Sequence, residues 1–173
     1  GEIVNGYQVL ERAGYLPPSA SETPLESVQV PATETADWAT IIAQCEQLQT
    51  VIAQTAAEFD QLPIFVRPMA RNGFKSKSGQ SLNDWARTAD QLMTSLKNIQ
   101  RGDAAAAQRL HHDAPRLIDL LHKLIVYYQG VPAQAARFTK DTEFLRQVAQ
   151  QTAEREALIR ALIAAMTEFQ QSI

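Results

Sequence analysis

The residues best suited to metal chemistry in this chain are three histidines, His111, His112 and His122. His111 and His122 are eleven residues apart in one predicted helix, which separates them by about 16 Å along its axis, too far for one metal ion. Di-metal helical proteins use Glu-x-x-His pairs, and this sequence contains none. We therefore expect surface histidines, no metal site and no other cofactor.

A nucleophilic role is open in principle to Cys45, the only cysteine. Cys45 falls on the apolar face of a predicted helix between Ile41 and Leu48, where a thiol is buried and inert rather than activated. No phosphate-binding glycine-rich loop, zinc-finger spacing or Gly-x-Ser-x-Gly motif occurs. These patterns favour a protein that is not an enzyme.

The stretch Pro63–Gln80 has the most unusual composition, with four basic residues and no acidic one among large apolar side chains. It reads PIFVRPMARNGFKSKSGQ. We interpret it as a long loop, with a helical turn over 64–71 broken by Pro68 and a turn at Asn72-Gly73. One alternative is a lid that packs Phe65 and Phe74 over the end of the helices with its charges in water.

The other alternative is a docking surface for an acidic partner protein or an anionic lipid. Nucleic acid is disfavoured because the whole chain is acidic, with a sequence pI near 5.6. The residues predicted to bind a partner are Arg67, Arg71, Phe74, Lys75 and Lys77.

A second candidate site is the pair Thr152 and Arg155, because Arg155 occupies a core-facing position of the last helix. A buried charge is rarely left unpaired, so Arg155 either extends its guanidinium to the rim or forms a polar layer. Such a layer could hold a small anion or an acidic side chain. The predicted ion-pair partners of Arg155 within the chain are Asp90, Asp113 and Asp119.

Four helices must position these residues. Apolar side chains recur every three or four residues from Thr35 to Leu62, after Ser81, after Asp103, and from between Gln134 and Thr139 to about Gln171. Thr35, Ser81 and Asp103 are predicted N-caps. Gly102 is predicted to end the second helix in the left-handed backbone conformation. Pro115 predicts a kink, or a restart capped by Asp113. Short links predict antiparallel neighbours, hence an all-α, up-down-up-down four-helix bundle over 35–173 with a long loop between helices one and two.

Residues 1–34 are predicted to be a separate N-terminal segment followed by a connector rich in Pro, Ser and Glu. Asn5-Gly6 suits either a hairpin turn or a short helix ended by Gly14. Residues 1–60 carry a net charge of −8 and residues 61–173 of +5. The four bases of Pro63–Gln80 are therefore expected to rest against the acidic 17–37 connector in the free protein.

These patterns predict a non-enzymatic helical module that binds other proteins. The alternative is a sensor or carrier outside the cytoplasm that binds a small anion between helices, with Arg155, Arg67 or Arg71 as counter-charge. No apolar run is long enough to cross a membrane. The chain begins at Gly1 rather than Met, which indicates a cleaved tag or an upstream segment such as a signal peptide. We therefore favour a periplasmic or extracellular, bacterial-envelope location over a cytoplasmic one.

Overall fold

The computed structural model describes residues 37–172, and all of their regular structure is helical. The predicted all-α class is confirmed. The predicted 1–34 segment, residues 17–36 of the acidic connector and the N-cap Thr35 lie outside the described residues. The helices are α1 Trp38–Asp60, α2 Arg67–Ser78, α3 Leu82–Gln100, α4 Ala104–Gln129, α5 Val131–Ala135 and α6 Thr142–Ser172.

Side-chain caps begin α3, α4 and α6. The Ser81 hydroxyl accepts from the backbone N–H of Asp84 at 3.1 Å, and the Asp103 carboxylate accepts from that of Ala106 at 3.0 Å. Both caps were predicted, since each satisfies a donor that the helix itself leaves unpaired. Asp141 caps α6 by accepting from the backbone N–H groups of Glu143 and Phe144. Gly102 has φ +96°, the left-handed conformation predicted for the end of α3.

The predicted apolar faces are the faces that the helices bury. Leu96, Leu124 and Leu162 are fully enclosed, and similar residues from α1, α3, α4 and α6 surround them. Helix α4 runs without interruption through Pro115, so the predicted restart there is wrong. Pro115 lies on the exposed side, and the packing of the buried side continues on either side of it, so one lost backbone hydrogen bond is tolerated.

The predicted long loop between the first two helices is instead the twelve-residue helix α2. Pro68 lies in the first turn of α2, where a missing N–H costs nothing, so it does not break the helix. Asn72-Gly73 is helical rather than a turn. Phe74 explains why: its ring is fully buried and packs edge-on against Phe59 of α1 and Tyr127 of α4, with centroid distances of 6.2 Å and 4.7 Å. Tertiary packing of one aromatic ring outweighs the local turn preference.

A close backbone approach ends α2. Gly79 has φ +86°, and its N–H donates to the Lys75 carbonyl at 3.0 Å. A Cβ at Gly79 would lie 3.1 Å from Lys123 Cδ and 3.2 Å from a methyl of Leu120. Glycine is therefore required here for both its conformation and its size.

The last predicted helix begins later in the structure than the sequence indicated, and a separate one-turn helix precedes it. The one-turn α5 follows Gly130, with Pro132 in its first turn, and α6 begins only at Thr142. Phe138, assigned to the buried face from the sequence, lies between them and is 82% exposed. The predicted start was therefore early, because the Asp141 cap rather than the apolar pattern sets the first turn of α6.

Contacts from α6 to two other helices place the ends of those helices relative to one another. Trp38 at the start of α1 meets Phe169 near the end of α6, while Glu58 near the end of α1 meets Arg155. Helix α4 has the same direction relative to α6: His111 in the first half of α4 contacts the carbonyl of Gln170 near the end of α6, and Gln129 at the end of α4 contacts Glu156. The C-terminal ends of α1 and α4 thus meet the N-terminal half of α6.

Candidate functional site

Three of the five side chains predicted to bind a partner are engaged within the fold. Phe74 is a core residue with no exposed surface. Arg67 is half-buried, and its Nε donates to the Leu62 carbonyl at 2.8 Å near the end of α1. Arg71 is exposed, but its guanidinium pairs with the Asp60 carboxylate at 2.7 Å. These contacts fasten α2 to the end of α1.

The other two predicted residues, Lys75 and Lys77, are exposed in the last turn of α2. Cations are favourable at this position because the carbonyl groups at a helix C-terminus carry partial negative charge. Neither lysine forms an ion pair within residues 37–172. Both remain available to an acidic group outside the described part of the chain.

Three large apolar side chains that precede these lysines in sequence are exposed: Ile64, Phe65 and Met69. We call these three residues the apolar patch. Their exposed fractions are 77%, 83% and 71%. The sequence predicted that Phe65 and Phe74 would together plug the end of the helices, and for Phe65 this is wrong. Phe74 faces α4 from within α2, whereas Phe65 precedes the first residue of the helix and does not share that face.

A second feature lies where α1, α4 and α6 meet. Arg155 is only 6% exposed, and its Nη2 donates to the Glu58 carboxylate at 3.2 Å and to the Gln54 side-chain carbonyl at 3.3 Å. The guanidinium carbon lies 5.4 Å from the centroid of the Tyr128 ring, a favourable cation–π distance. Arg155 therefore forms the polar layer that the sequence offered as one alternative, rather than reaching the rim.

The ion-pair partner predicted for Arg155 was wrong. Asp90 accepts from Gln49, and Asp119 pairs with Lys123 in its own helix. Glu58, the actual partner, is 97 residues away in sequence. The sequence missed it because the register of α1 against α6 depends on packing across the whole core.

Arg155 and Glu58 border a cleft of about 500 Å³, which we call the Arg155 cleft. Its lining combines apolar side chains with hydroxyl, amide and charged groups. Thr152, named with Arg155 as a candidate ligand residue, is buried but does not line the cleft. The lining residues are Thr55, Glu58, Phe59, Gln61, Tyr127, Tyr128, Val131, Ala135, Phe144, Gln147, Val148, Gln151 and Arg155.

Two tyrosines at the cleft remain neutral. Burial is the main cause that raises the pKa of both the Tyr127 and Tyr128 phenols, and Glu58 adds a smaller effect in the same direction. The Tyr128 hydroxyl lies 2.7 Å from Thr55 Oγ1, which itself donates to the Val51 carbonyl at 2.9 Å. Since Thr55 has a single hydroxyl proton, Tyr128 is the donor in their shared bond.

Other candidate chemistry is spread apart in the structure. His111 Nε2 lies 2.9 Å from the Gln170 carbonyl, and no group of three His, Cys, Asp or Glu residues in the described part of the chain could hold a metal ion. Among residues 37–172, no helix combines the length and apolar character that a membrane span requires.

Cys45 is fully buried, as predicted, and its thiol lies 3.5 Å from the Ala89 carbonyl. Burial raises the pKa of the thiol to about 12, with a smaller contribution from the negative charge of Asp90. Only the thiolate reacts rapidly with disulfide reagents. In a colorimetric thiol titration with an aromatic disulfide at pH 8, we expect Cys45 not to react in the folded protein. In denaturant, one thiol per chain should react. Rapid labelling without denaturant would contradict this placement.

Comparisons with protein-family models, with curated proteins and with solved structures found no match.

Proposed function

We propose that this chain is a non-enzymatic helical module that binds a protein partner through the apolar patch and the basic end of α2. The observation that carries the proposal is the exposure of Ile64, Phe65 and Met69 within six residues. A cluster of large exposed apolar side chains bordered by charge is typical of a protein interaction site. Burial of each such side chain contributes about 1.5–3 kcal/mol, so the patch supplies most of the affinity.

The partner is a protein segment with apolar side chains flanked by acidic ones. Helix α2 contains four bases and no acid, and Asp60 compensates only Arg71. Lys75 and Lys77 therefore complement an acidic surface. Exposed charge pairs contribute only about 0–1 kcal/mol each, so they affect orientation and association rate more than affinity.

The proposal includes the arrangement of α1, α3, α4 and α6 as an up-down-up-down bundle, with α2 laid over one end. The contacts of α6 with α1 and α4 support it, because the C-terminal ends of α1 and α4 meet the N-terminal half of α6 and their N-terminal halves meet its C-terminal end. Such an arrangement gives a rigid support on which the apolar patch is held.

Site-specific photo-crosslinking in the native cells tests this function. A photoreactive phenylalanine at position 65 is compared with one at position 138, a matched exposed aromatic between α5 and α6. We expect a protein adduct from position 65 only, with the crosslinked peptide rich in Asp and Glu. With that partner purified, the double variant Phe65→Ser, Met69→Ser is expected to weaken binding by tenfold or more, roughly one lost apolar contact.

Three results would contradict the proposal. Equal adducts from positions 65 and 138 would indicate nonspecific contact. A crosslinked peptide without acidic residues would remove the role of Lys75 and Lys77. An adduct with a second copy of this chain, accompanied by a dimer in analytical ultracentrifugation that Phe65→Ser abolishes, would identify self-association instead.

A second candidate function, the binding of a small anion between helices, is favoured by the Arg155 cleft. Ligand sites are mostly apolar concave spaces with a few converging polar groups, and the volume and lining of this cleft fit that description. The counter-charge is then Arg155. Arg67 and Arg71 are engaged by the Leu62 carbonyl and by Asp60.

A further inference from the structure

We infer that the Arg155 cleft binds a small zwitterion that carries a carboxylate, an ammonium group and an apolar side chain, for which an α-amino acid is the simplest molecule. The inference rests on the second candidate function and narrows its ligand from an anion to a zwitterion.

Arg155 provides the carboxylate-binding group. A guanidinium has five N–H donors in a planar arrangement that suits carboxylates. Both hydrogen bonds that Arg155 donates to described residues come from Nη2, so Nε and Nη1 retain donors without a partner in the described part of the chain. Such donors in a side chain that is 6% exposed are available to a ligand in the cleft that Arg155 lines.

Glu58 makes a simple anion a poor ligand. Its carboxylate is half-exposed, borders the same cleft and uses Oε2 for Arg155. The two side chains together have no net charge, so an anion that approaches Arg155 also approaches a negative group. A molecule with an ammonium beside its carboxylate meets an opposite charge on each side. The neutral phenols of Tyr127 and Tyr128 add no charge to this balance.

The apolar part of the cleft lining accounts for the third part of the ligand. Phe144, Val148 and Val131 present apolar surface, and Phe144 is 48% exposed. Covering this surface with an aliphatic or aromatic side chain removes it from water. Gln147 and Gln151 lie in the same lining and can hydrogen-bond to the polar end of the ligand.

The test is an NMR titration of the ¹⁵N-labelled full chain at pH 7 with L-leucine and L-phenylalanine. Each is compared with its deaminated and decarboxylated forms: 4-methylpentanoate and isoamylamine, and 3-phenylpropanoate and phenethylamine. We expect saturable shifts in the amide signals of 55–58 and 144–155 with at least one amino acid. Loss of either charged group should weaken binding about tenfold or more, as for other charge-assisted hydrogen bonds.

Glu58→Gln is the matched variant, since it removes the negative charge and keeps the shape of the side chain. It is expected to weaken amino acid binding about tenfold and to improve binding of the deaminated acid. Glu46→Gln, an exposed glutamate three turns earlier in α1, is the control and should change neither. Circular dichroism of both variants checks that the helices are intact.

Two outcomes overturn the inference, and they differ in what else they remove. If the deaminated acids bind the unaltered protein as tightly as the amino acids do, the ligand is an anion and the second candidate function stands. If none of the six compounds shifts the cleft signals at 10 mM, about the weak limit of small-ligand recognition, both the inference and the second candidate function are wrong.

Discussion

Replacement of Phe74 by alanine is expected to lower the free energy of unfolding by about 3–5 kcal/mol, the usual cost of removing a buried aromatic ring. The ring is fully enclosed between Phe59 of α1 and Tyr127 of α4, so its loss leaves a cavity at the point where α2 is anchored. The same change at Phe65, which is 83% exposed, should alter stability by less than about 0.5 kcal/mol.

Urea unfolding followed by circular dichroism measures both variants. Limited proteolysis adds a local readout, because a loosened α2 exposes the peptide bonds after Lys75 and Lys77 in the Phe74 variant alone. Equal stability losses for the two variants would mean that both rings plug the end of the helices, which is the prediction that the structure replaces.

The second large effect is expected for Leu162→Ala and Leu121→Ala. Both leucines are at most 1% exposed and belong to one core cluster, Leu162 from α6 and Leu121 from α4. Each substitution should cost about 2–5 kcal/mol, with the spread set by how far the surroundings relax into the cavity. The control is Val126→Ala in α4, which removes two methyl groups from a side chain that is 57% exposed.

Thermal and urea unfolding give the comparison on one scale. We expect the Val126 variant to stay within about 0.5 kcal/mol of the unaltered protein. If either leucine variant also stayed within that range, its helix would bury a different face. For Leu162, the burial of Ile159 and Met166 in the same helix would then need another explanation.

The sequence alone determined the helical class, the buried faces of four helices and two of the caps. Spacings of three and four residues identified Leu162 and Leu121 as core residues, and the chemistry of Ser81 and Asp103 marked where helices begin. These features are local: a face repeats within one helix, and a capping side chain bonds to a backbone group three residues away.

The tertiary structure alone decided the helical state of α2, the exposure of Phe65 and the ion-pair partner of Arg155. Pro68 and Asn72-Gly73 are turn signals, and only the burial of Phe74 against two other helices makes the segment helical and leaves Phe65 exposed. Glu58 became the partner of Arg155 through the register of α1 against α6. Such contacts join residues tens of positions apart, and no local spacing encodes which of several equivalent faces will meet.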